Sequence, residues 1–185
     1  MKPRTVRLLT PPAVEPVSLS EAKAHLRIMA EQEEDDALIS GLIATARRLI
    51  ERRLGISLIA TQYRAKWPAG TMFLELPNPP VLVAGSYPIA VSIDGEALAA
   101  GDYELDQDAT PAELELDERP TGEVSVTYWS GVAPGGLIAP QLRSALLLIV
   151  GHLYAHREAA TTEAVGELPM GVEVLLASES VNGSW

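Results

Sequence analysis

The chain has 185 residues, of which 47% are apolar, and it contains no cysteine. This length and apolar content are typical of a chain with one well-buried core and argue against a disordered protein, while the lack of cysteine excludes disulfides and thiolate metal sites. The net charge of −11 opposes binding to phosphate backbones, which require Lys and Arg, so we expect no DNA-binding protein.

No targeting or membrane segment is expected from the pattern. The basic start, Met1 to Arg4, runs into Pro11 and Pro12 rather than into a long apolar core, which argues against a secretory signal. The most apolar stretch, 137–155, is interrupted by polar residues such as Arg143 and cannot be an unbroken membrane span. We therefore expect a soluble, cytoplasmic protein without a membrane partner.

Two helices are predicted near the N-terminus. Ser18 and Glu21 form a capping-box pattern, which predicts a helix from about residue 18 to Met29. An acidic run at 31–36 follows, and the apolar residues from Leu38 to Leu54 then recur at helical spacing. The second helix is thus expected to be long and amphipathic.

The middle of the chain changes to an alternating pattern. Short runs of alternating or β-prone residues are separated by turn signals such as Asp94-Gly95, which is typical of strands in an antiparallel sheet. The predicted strands lie at 59–67, 72–76, 90–93, 103–105, 113–116 and 123–129.

A third helix and a tail complete the pattern. Pro140 suits a first helical turn, and 141–157 is apolar around most of its circumference, which predicts burial on several sides. The segment 161–185 is interpreted as an extended tail whose apolar groups need a partner. The candidate docking residues of this tail are Leu168, Met170, Val172, Val174, Leu175 and Leu176.

The predicted fold class is therefore α+β: a small bundle of about three main helices, with an inserted antiparallel β-sheet and an extended C-terminal tail. We expect a single domain over 1–185. Within it, 18–58 and 137–160 form the helical body, 59–130 the β insertion and 161–185 the docking tail.

Two charged clusters are candidates for contacts with partners. Arg47, Arg48, Arg52 and Arg53 are either a solvated face that compensates the helix dipole or a set of inter-subunit contacts. If they bind, the acidic run at 31–36 of a neighbouring copy is a better target than DNA.

Between Asp94 and Glu123 there are eleven acidic residues and one base. Such charge serves solubility or lines a channel that repels DNA. The candidate channel-facing acids are Asp102, Glu104, Asp106 and Asp108.

Catalytic and metal-binding patterns are weak. His152 and His156 lie one helical turn apart, but Leu153 stands where zinc peptidases carry glutamate. The glycine-rich loop containing Gly131 and Gly135 lacks a P-loop lysine, so a turn is the better interpretation. We expect no catalytic residues, no cofactor and no metal.

Several segments together carry a family resemblance. They are Pro16-Val17-Ser18-Leu19-Ser20-Glu21-Ala22-Lys23, Ile50-Glu51-Arg52-Arg53-Leu54-Gly55, Tyr128-Trp129-Ser130-Gly131, Pro140-Gln141-Leu142-Arg143-Ser144-Ala145, and the late Leu168-Pro169 with Gly171-Val172-Glu173. In these residues and their order the chain resembles the head-to-tail connector, or adaptor, proteins of long-tailed phages and phage-like gene-transfer particles. One departure is Ser178-Glu179-Ser180, where the family often continues with an aromatic and basic stretch.

The resemblance implies a structural role and not an enzyme. It implies a homo-oligomeric ring, a dodecamer, below the portal protein and above a tail-side stopper or tail-terminator protein, through which DNA passes without specific binding. The chain would assemble in the host cytoplasm and end in the neck of a virion or phage-like particle. The alternative is a tail-completion or stopper protein of the same region; a hydrolase that uses His152 and His156 is the third and weakest.

Overall fold

The computed structural model describes residues 1–156 and 170–178. The chain divides into two compact units. The β unit comprises residues 1–14 and 55–136, and the helical unit comprises 15–54 together with the described residues from 137 onward. The α+β class is confirmed, whereas the single-domain organisation stays a prediction.

The helical unit contains four helices. They are α1 (Leu19–Leu26), α2 (Asp36–Leu54), α3 (Pro140–Ala155) and α4 (Met170–Ser178). The apolar stripe of α2 places Ile39, Ile43 and Ile50 in the interior, and α3 contributes Leu146 and Ile149. In the described part of the chain, no helix has the length and apolarity that a membrane crossing requires.

Ser18 caps the N-terminus of helix α1, as predicted, but only half of the capping box forms. The Ser18 hydroxyl accepts a hydrogen bond from the Glu21 backbone N–H at 3.2 Å. The Glu21 carboxylate instead pairs with Arg143 on α3, whose Nε donates to it at 2.6 Å. The glutamate therefore links two helices rather than closing the cap.

The C-terminal segment differs from the predicted extended tail, because part of it is helical. Val172 and Leu176 are four residues apart, which places both on one face of α4, and both are buried. That face packs on α3. Burial of an apolar face can stabilise a helix that has weak local signals. The sequence analysis did not predict α4, because the segment lies among polar residues and has no strong helical pattern.

The β unit contains nine strands in two antiparallel sheets, rather than the one sheet predicted. The strands are β1 (Thr5–Thr10), β2 (Thr61–Trp67), β3 (Phe73–Glu75), β4 (Val81–Leu82), β5 (Ala90–Ile93), β6 (Glu96–Ala97), β7 (Tyr103–Asp106), β8 (Glu113–Leu116) and β9 (Val124–Ser130). The six-stranded sheet has the order β1-β2-β9-β5-β6 with β4 also paired to β9, and the three-stranded sheet has the order β3-β8-β7.

One apolar core lies between the two sheets. Alternate residues of β8 and β9 are buried in this core, and the intervening residues point away from it. The larger sheet contributes Ala65, Trp67, Val91, Val124, Val126 and Tyr128, and the smaller sheet contributes Leu74, Leu114 and Leu116. The Tyr128 hydroxyl donates to the Pro77 carbonyl at 2.9 Å, so this buried polar group is satisfied.

Strand β1 was not predicted. All six of its residues are exposed, and β1 lies at an edge of the larger sheet, where it pairs with β2 alone in the described structure. A strand without a buried face has no alternation for sequence analysis to detect. Pairing with the backbone of β2 defines it instead.

Candidate functional site

The arginine cluster of α2 is divided by the fold. Arg47 is 5% exposed and is bound within its own unit. Its Nε donates to Glu15 Oε2 at 2.7 Å, and its Nη1 donates to Glu51 Oε2 at 2.7 Å. Burial by itself lowers the pKa of Arg47, but the hydrogen bonds and charges of Glu15 and Glu51 outweigh it and leave the pKa raised. Arg47 therefore anchors α2 to the segment that enters the helical unit.

The other three arginines of the cluster remain at the surface. Arg48, Arg52 and Arg53 are exposed. Arg53 forms an exposed ion pair with Glu173 of α4 at 3.0 Å, which ties the two helices together weakly. The predicted inter-subunit role consequently stays a prediction, and Arg48 and Arg52 are the members of the cluster best placed for it.

A buried lysine that the sequence analysis passed over organises the loop between α1 and α2. Lys23 is 4% exposed. Its Nζ donates to the carbonyls of Ala30 and Gln32 at 2.9 and 2.6 Å, and to Asp36 Oδ1 at 2.8 Å. Asp35 accepts a hydrogen bond from the Tyr154 hydroxyl. The acidic run is thus only partly available to a partner, through its exposed glutamates.

The predicted docking residues fall into three groups. Val172 and Leu176 are buried in the helical unit and would be available to a partner only if α4 left α3. Val174 is 71% exposed, and Leu175 is half-buried. Met170 begins α4, and Leu168 lies outside the described residues. The docking role stays a prediction, and among Val172, Val174, Leu175 and Leu176, whose burial the structure describes, Val174 is the exposed apolar group.

An acidic face forms on the side of the three-stranded sheet that points away from the core. We use the name acidic face for Glu104, Asp106, Glu113 and Glu115 with Phe73. The strand register places Glu104 directly opposite Glu115, and Asp106 directly opposite Glu113. Like charges directly opposite each other destabilise a sheet. No ion-pair partner of these four carboxylates occurs among the described residues. Phe73, opposite Glu115, is 55% exposed.

The four acids predicted to face a channel occupy two kinds of position. Glu104 and Asp106 belong to the acidic face, whereas Asp102 and Asp108 flank β7 in turns. Asp102 accepts from the Ala99 N–H at 2.8 Å, and Asp106 accepts from the Asp108 N–H at 2.9 Å. The geometry of a single chain leaves their channel-facing role a prediction. Sequence alternation could have indicated Glu113 and Glu115, but not which residues lie opposite them.

A basic face lies on the outward side of the larger sheet. We use this name for Arg7, Arg64 and Lys66, with Thr5 and Thr127 beside them. Arg7 lies directly opposite Arg64, and Thr5 lies opposite Lys66. Arg64 Nε donates to Thr127 Oγ1 at 3.2 Å, while Lys66 pairs with Glu123 at 2.5 Å. The facing arginines are a further like-charge pair, this one of basic residues, which sequence analysis missed because β1 was not predicted.

The weaker chemical candidates have structural explanations. The His152 and His156 rings are 4.4 Å apart, and a ring nitrogen of His156 lies 2.8 Å from the His152 carbonyl. Across residues 1–156 and 170–178, no group of three or more potential ligands could hold a metal ion. In the glycine loop, the Gly131 N–H donates to Pro80 at 2.8 Å and the Gly136 N–H donates to Ala133 at 2.9 Å, so these donors are already used.

Gly131 is required by close packing. Its φ is +102°, and a Cβ at this position would lie 2.4 Å from backbone atoms of Ile59. Such an approach is far inside contact distance, so a side chain at Gly131 would force the backbone segments around Ile59 and Gly131 apart. The loop is therefore a tight crossing of backbone segments.

Comparisons with known proteins agree with the resemblance seen in the sequence. Residues 16–85 match the family described as Phage gp6-like head-tail connector protein. A chain from the neck of an empty gene transfer agent particle, with six-fold symmetry, matches with a TM-score of 0.73 and 22% identity over 94% of both chains. No curated protein sequence matches significantly.

Two further matches come from native gene transfer agent particles. One, from the virion, has a TM-score of 0.73 and 22% identity over 94% of this chain and 93% of that chain. The other, from the neck with twelve-fold symmetry, has a TM-score of 0.68 and 19% identity over 94% and 93%. The resemblance to head-tail connector proteins is thus confirmed in sequence over residues 16–85, and the fold is shared with chains of gene transfer agent particles over nearly the whole chain.

Proposed function

We propose that this chain is a structural protein of the neck that joins head and tail in a phage or a phage-like gene transfer particle. The observation that carries the proposal is the fold shared with a chain from a gene transfer agent neck, over 94% of this chain and 94% of that chain. The match of residues 16–85 to the head-tail connector family supports it. The described residues form no metal cluster, and the histidine pair is engaged locally.

Within the neck, the proposed role is that of an adaptor ring between the portal protein and a tail-side stopper or tail-terminator protein. The matched neck structures were computed with six-fold and with twelve-fold symmetry, and a ring of twelve copies is compatible with both. A ring of a chain with net charge −11 would let DNA pass without holding it, because phosphates bind where cations are available. The alternative within this class is a stopper on the tail side.

Deletion of the gene and examination of the resulting particles tests the proposal. We expect filled or leaking heads and separate tails, with joining restored by the chain supplied from a plasmid. Normal particles without the chain would overturn the proposal. Localisation of a tagged chain by cryo-electron microscopy provides the second measurement, and density away from the neck would have the same consequence.

Binding assays separate adaptor from stopper. An adaptor should co-purify with the portal protein in the absence of tails, whereas a stopper should require an adaptor ring already in place.

The surface variant Arg48→Glu with Arg52→Glu tests the predicted arginine contacts. We expect reduced ring formation with an unchanged far-ultraviolet spectrum, since both side chains are exposed.

A further inference from the structure

The outward sides of the two sheets of the β unit carry opposite charge. The acidic face is formed by four carboxylates around Phe73, and the basic face contains Arg7, Arg64 and Lys66. We propose that in the assembled ring the acidic face of one copy packs against the basic face of the next copy. The inference rests on the proposed ring and adds the surfaces through which neighbouring copies meet.

The acidic face has the features of a surface that binds a cationic partner. Two pairs of acids lie directly opposite each other across β7 and β8. Opposed like charges are destabilising relative to neutral residues at the same positions. An exposed Phe73 beside Glu115 adds an aromatic ring on which a guanidinium can stack. Aromatic residues and arginine are both enriched at protein interfaces.

The basic face shows the complementary excess. Arg7 and Arg64 are both exposed, lie directly opposite each other and carry the same charge. Lys66 is already paired with Glu123, so the unbalanced charge resides in the two arginines. Carboxylates of a neighbouring copy would relieve this repulsion, just as the arginines would relieve the repulsion between the acids. One contact thus removes an unfavourable arrangement from both copies.

The placement of the two faces favours a ring over a pair. Both sheets pack on one core, so their outward faces lie on opposite sides of the β unit. A copy that offers its acidic face to one neighbour retains a free basic face for another. Such head-to-tail contacts continue until the ring closes, whereas a two-fold contact stops at a dimer.

A second copy accounts for more of the structure than DNA does. A wall that repels DNA explains the carboxylates but leaves the facing arginines and the exposed Phe73 without a role. Packing between copies explains all three features with one contact. The DNA-facing role of Glu104 and Asp106 is therefore the competing outcome of the experiments below.

Cross-linking in assembled particles tests the contact directly, because the chain has no cysteine to interfere. Thr5→Cys lies on the basic face and Glu115→Cys on the acidic face. With a bifunctional maleimide, we expect the double variant to form a ladder of products beyond the dimer. Each single variant should remain monomeric under denaturing conditions. Cross-linking within a single variant, or no ladder in particles that contain the double variant, would overturn the proposal.

Charge reversal supplies the functional test. Glu104→Lys with Glu115→Lys should lower the association between copies at least about tenfold, and so should Arg7→Glu with Arg64→Glu. A chain carrying all four changes should regain assembly, because the two faces are exchanged. Asp117→Lys with Glu118→Lys alters the net charge equally at exposed positions outside the acidic face and is the matched control.

The possible results separate the inference from the proposed function. If wild-type chain is found in the neck and reversed variants still assemble, the face contact is wrong while the neck role stands. If reversed acidic variants assemble normally but retain DNA during ejection, the acids face DNA and the inference is overturned. If wild-type chain is absent from the neck, the proposed function itself fails.

Discussion

The helical unit and the β unit differ in where their charged residues lie and in whether opposite charges are paired. In the helical unit, Lys23 and Arg47 are almost fully buried and meet their acidic partners within the same unit. In the β unit, charged residues remain on the outward faces, where Glu104 lies opposite Glu115 and Arg7 lies opposite Arg64. In the first arrangement each charge is paired within a single copy, whereas the second arrangement is unfavourable in an isolated copy.

This difference separates charges that hold the fold from charges that are available for assembly. A buried ion pair that loses one member leaves a charge without compensation, so its removal destabilises the chain. Removal of one member of a like-charge pair on an exposed face has the opposite effect. Removing a buried charge from the helical unit and removing a like-charged residue from a face of the β unit should therefore change the free energy of unfolding in opposite directions, which makes the comparison testable.

The largest effect is expected for Arg47→Ala. The substitution leaves Glu15 and Glu51 without their shared cation and opens space beside α2. Because Glu15 is partly exposed and can regain water, we expect a loss of about 3 kcal/mol in the free energy of unfolding, at the lower end for a broken buried pair. Urea denaturation followed by circular dichroism measures it. Arg48→Ala, at an exposed position, should change the value by less than about 0.5 kcal/mol. Equal losses in the two variants would contradict the assignment of Arg47.

The next effect concerns the interior of the β unit. Gly131→Ala introduces both an unfavourable φ and a clash with Ile59, whereas Gly135→Ala introduces only the unfavourable φ, since no atom lies within 4 Å of its Cβ position. The Gly135 variant should lose about 1–2 kcal/mol. The Gly131 variant should lose clearly more than the Gly135 variant, because the clash with Ile59 adds to the unfavourable φ. Thermal unfolding of the two variants isolates the contribution of close packing, and similar melting temperatures would show that the crossing can relax.

A pH dependence distinguishes the core of the β unit from its charged faces. Burial raises the pKa of Tyr128 above its ordinary value, with the nearby Tyr63 adding to the shift. The folded state therefore keeps this proton at a pH where the unfolded state releases it. Stability from this group is complete below about pH 10 and falls by up to about 1.4 kcal/mol per pH unit above that value.

Tyr128→Phe tests this dependence. The variant should be less stable at neutral pH by about 1 kcal/mol, because the hydrogen bond to Pro77 is lost. Its stability should fall less steeply than that of the wild type between pH 10 and 11. Parallel curves would show that Tyr128 ionises as easily in the folded protein as in the unfolded chain.

The smallest effect is expected on the acidic face. Glu115→Gln should raise the free energy of unfolding of an isolated copy by about 0.2–1 kcal/mol at low salt, because it removes the repulsion with Glu104. The gain should shrink as salt screens the charges. Glu118→Gln, at an exposed position outside the face, serves as the control. A loss of stability in Glu115→Gln would indicate that the carboxylate has a favourable partner, and the contrast between the two units would disappear.

Local signals predicted the regular elements with strong periodicity. The α2 stripe, Pro140 at the start of α3 and the alternation over 90–93 and 113–116 all correspond to observed elements. These signals are local, because a helix or a half-buried strand repeats its apolar residues at a spacing that neighbouring residues alone establish. The edge strand β1 and the helix α4 lacked such signals and were missed.

The sequence alone determined the α+β class, the order of most elements and the resemblance to connector proteins, because these depend on residues close together along the chain. Only the tertiary structure decided which charges are satisfied. Arg47 and Arg48 are adjacent in sequence, yet one is buried between two glutamates and the other is exposed. The opposition of Glu104 to Glu115 and of Arg7 to Arg64 depends on strand register, which arises when distant segments pair and which no local pattern contains.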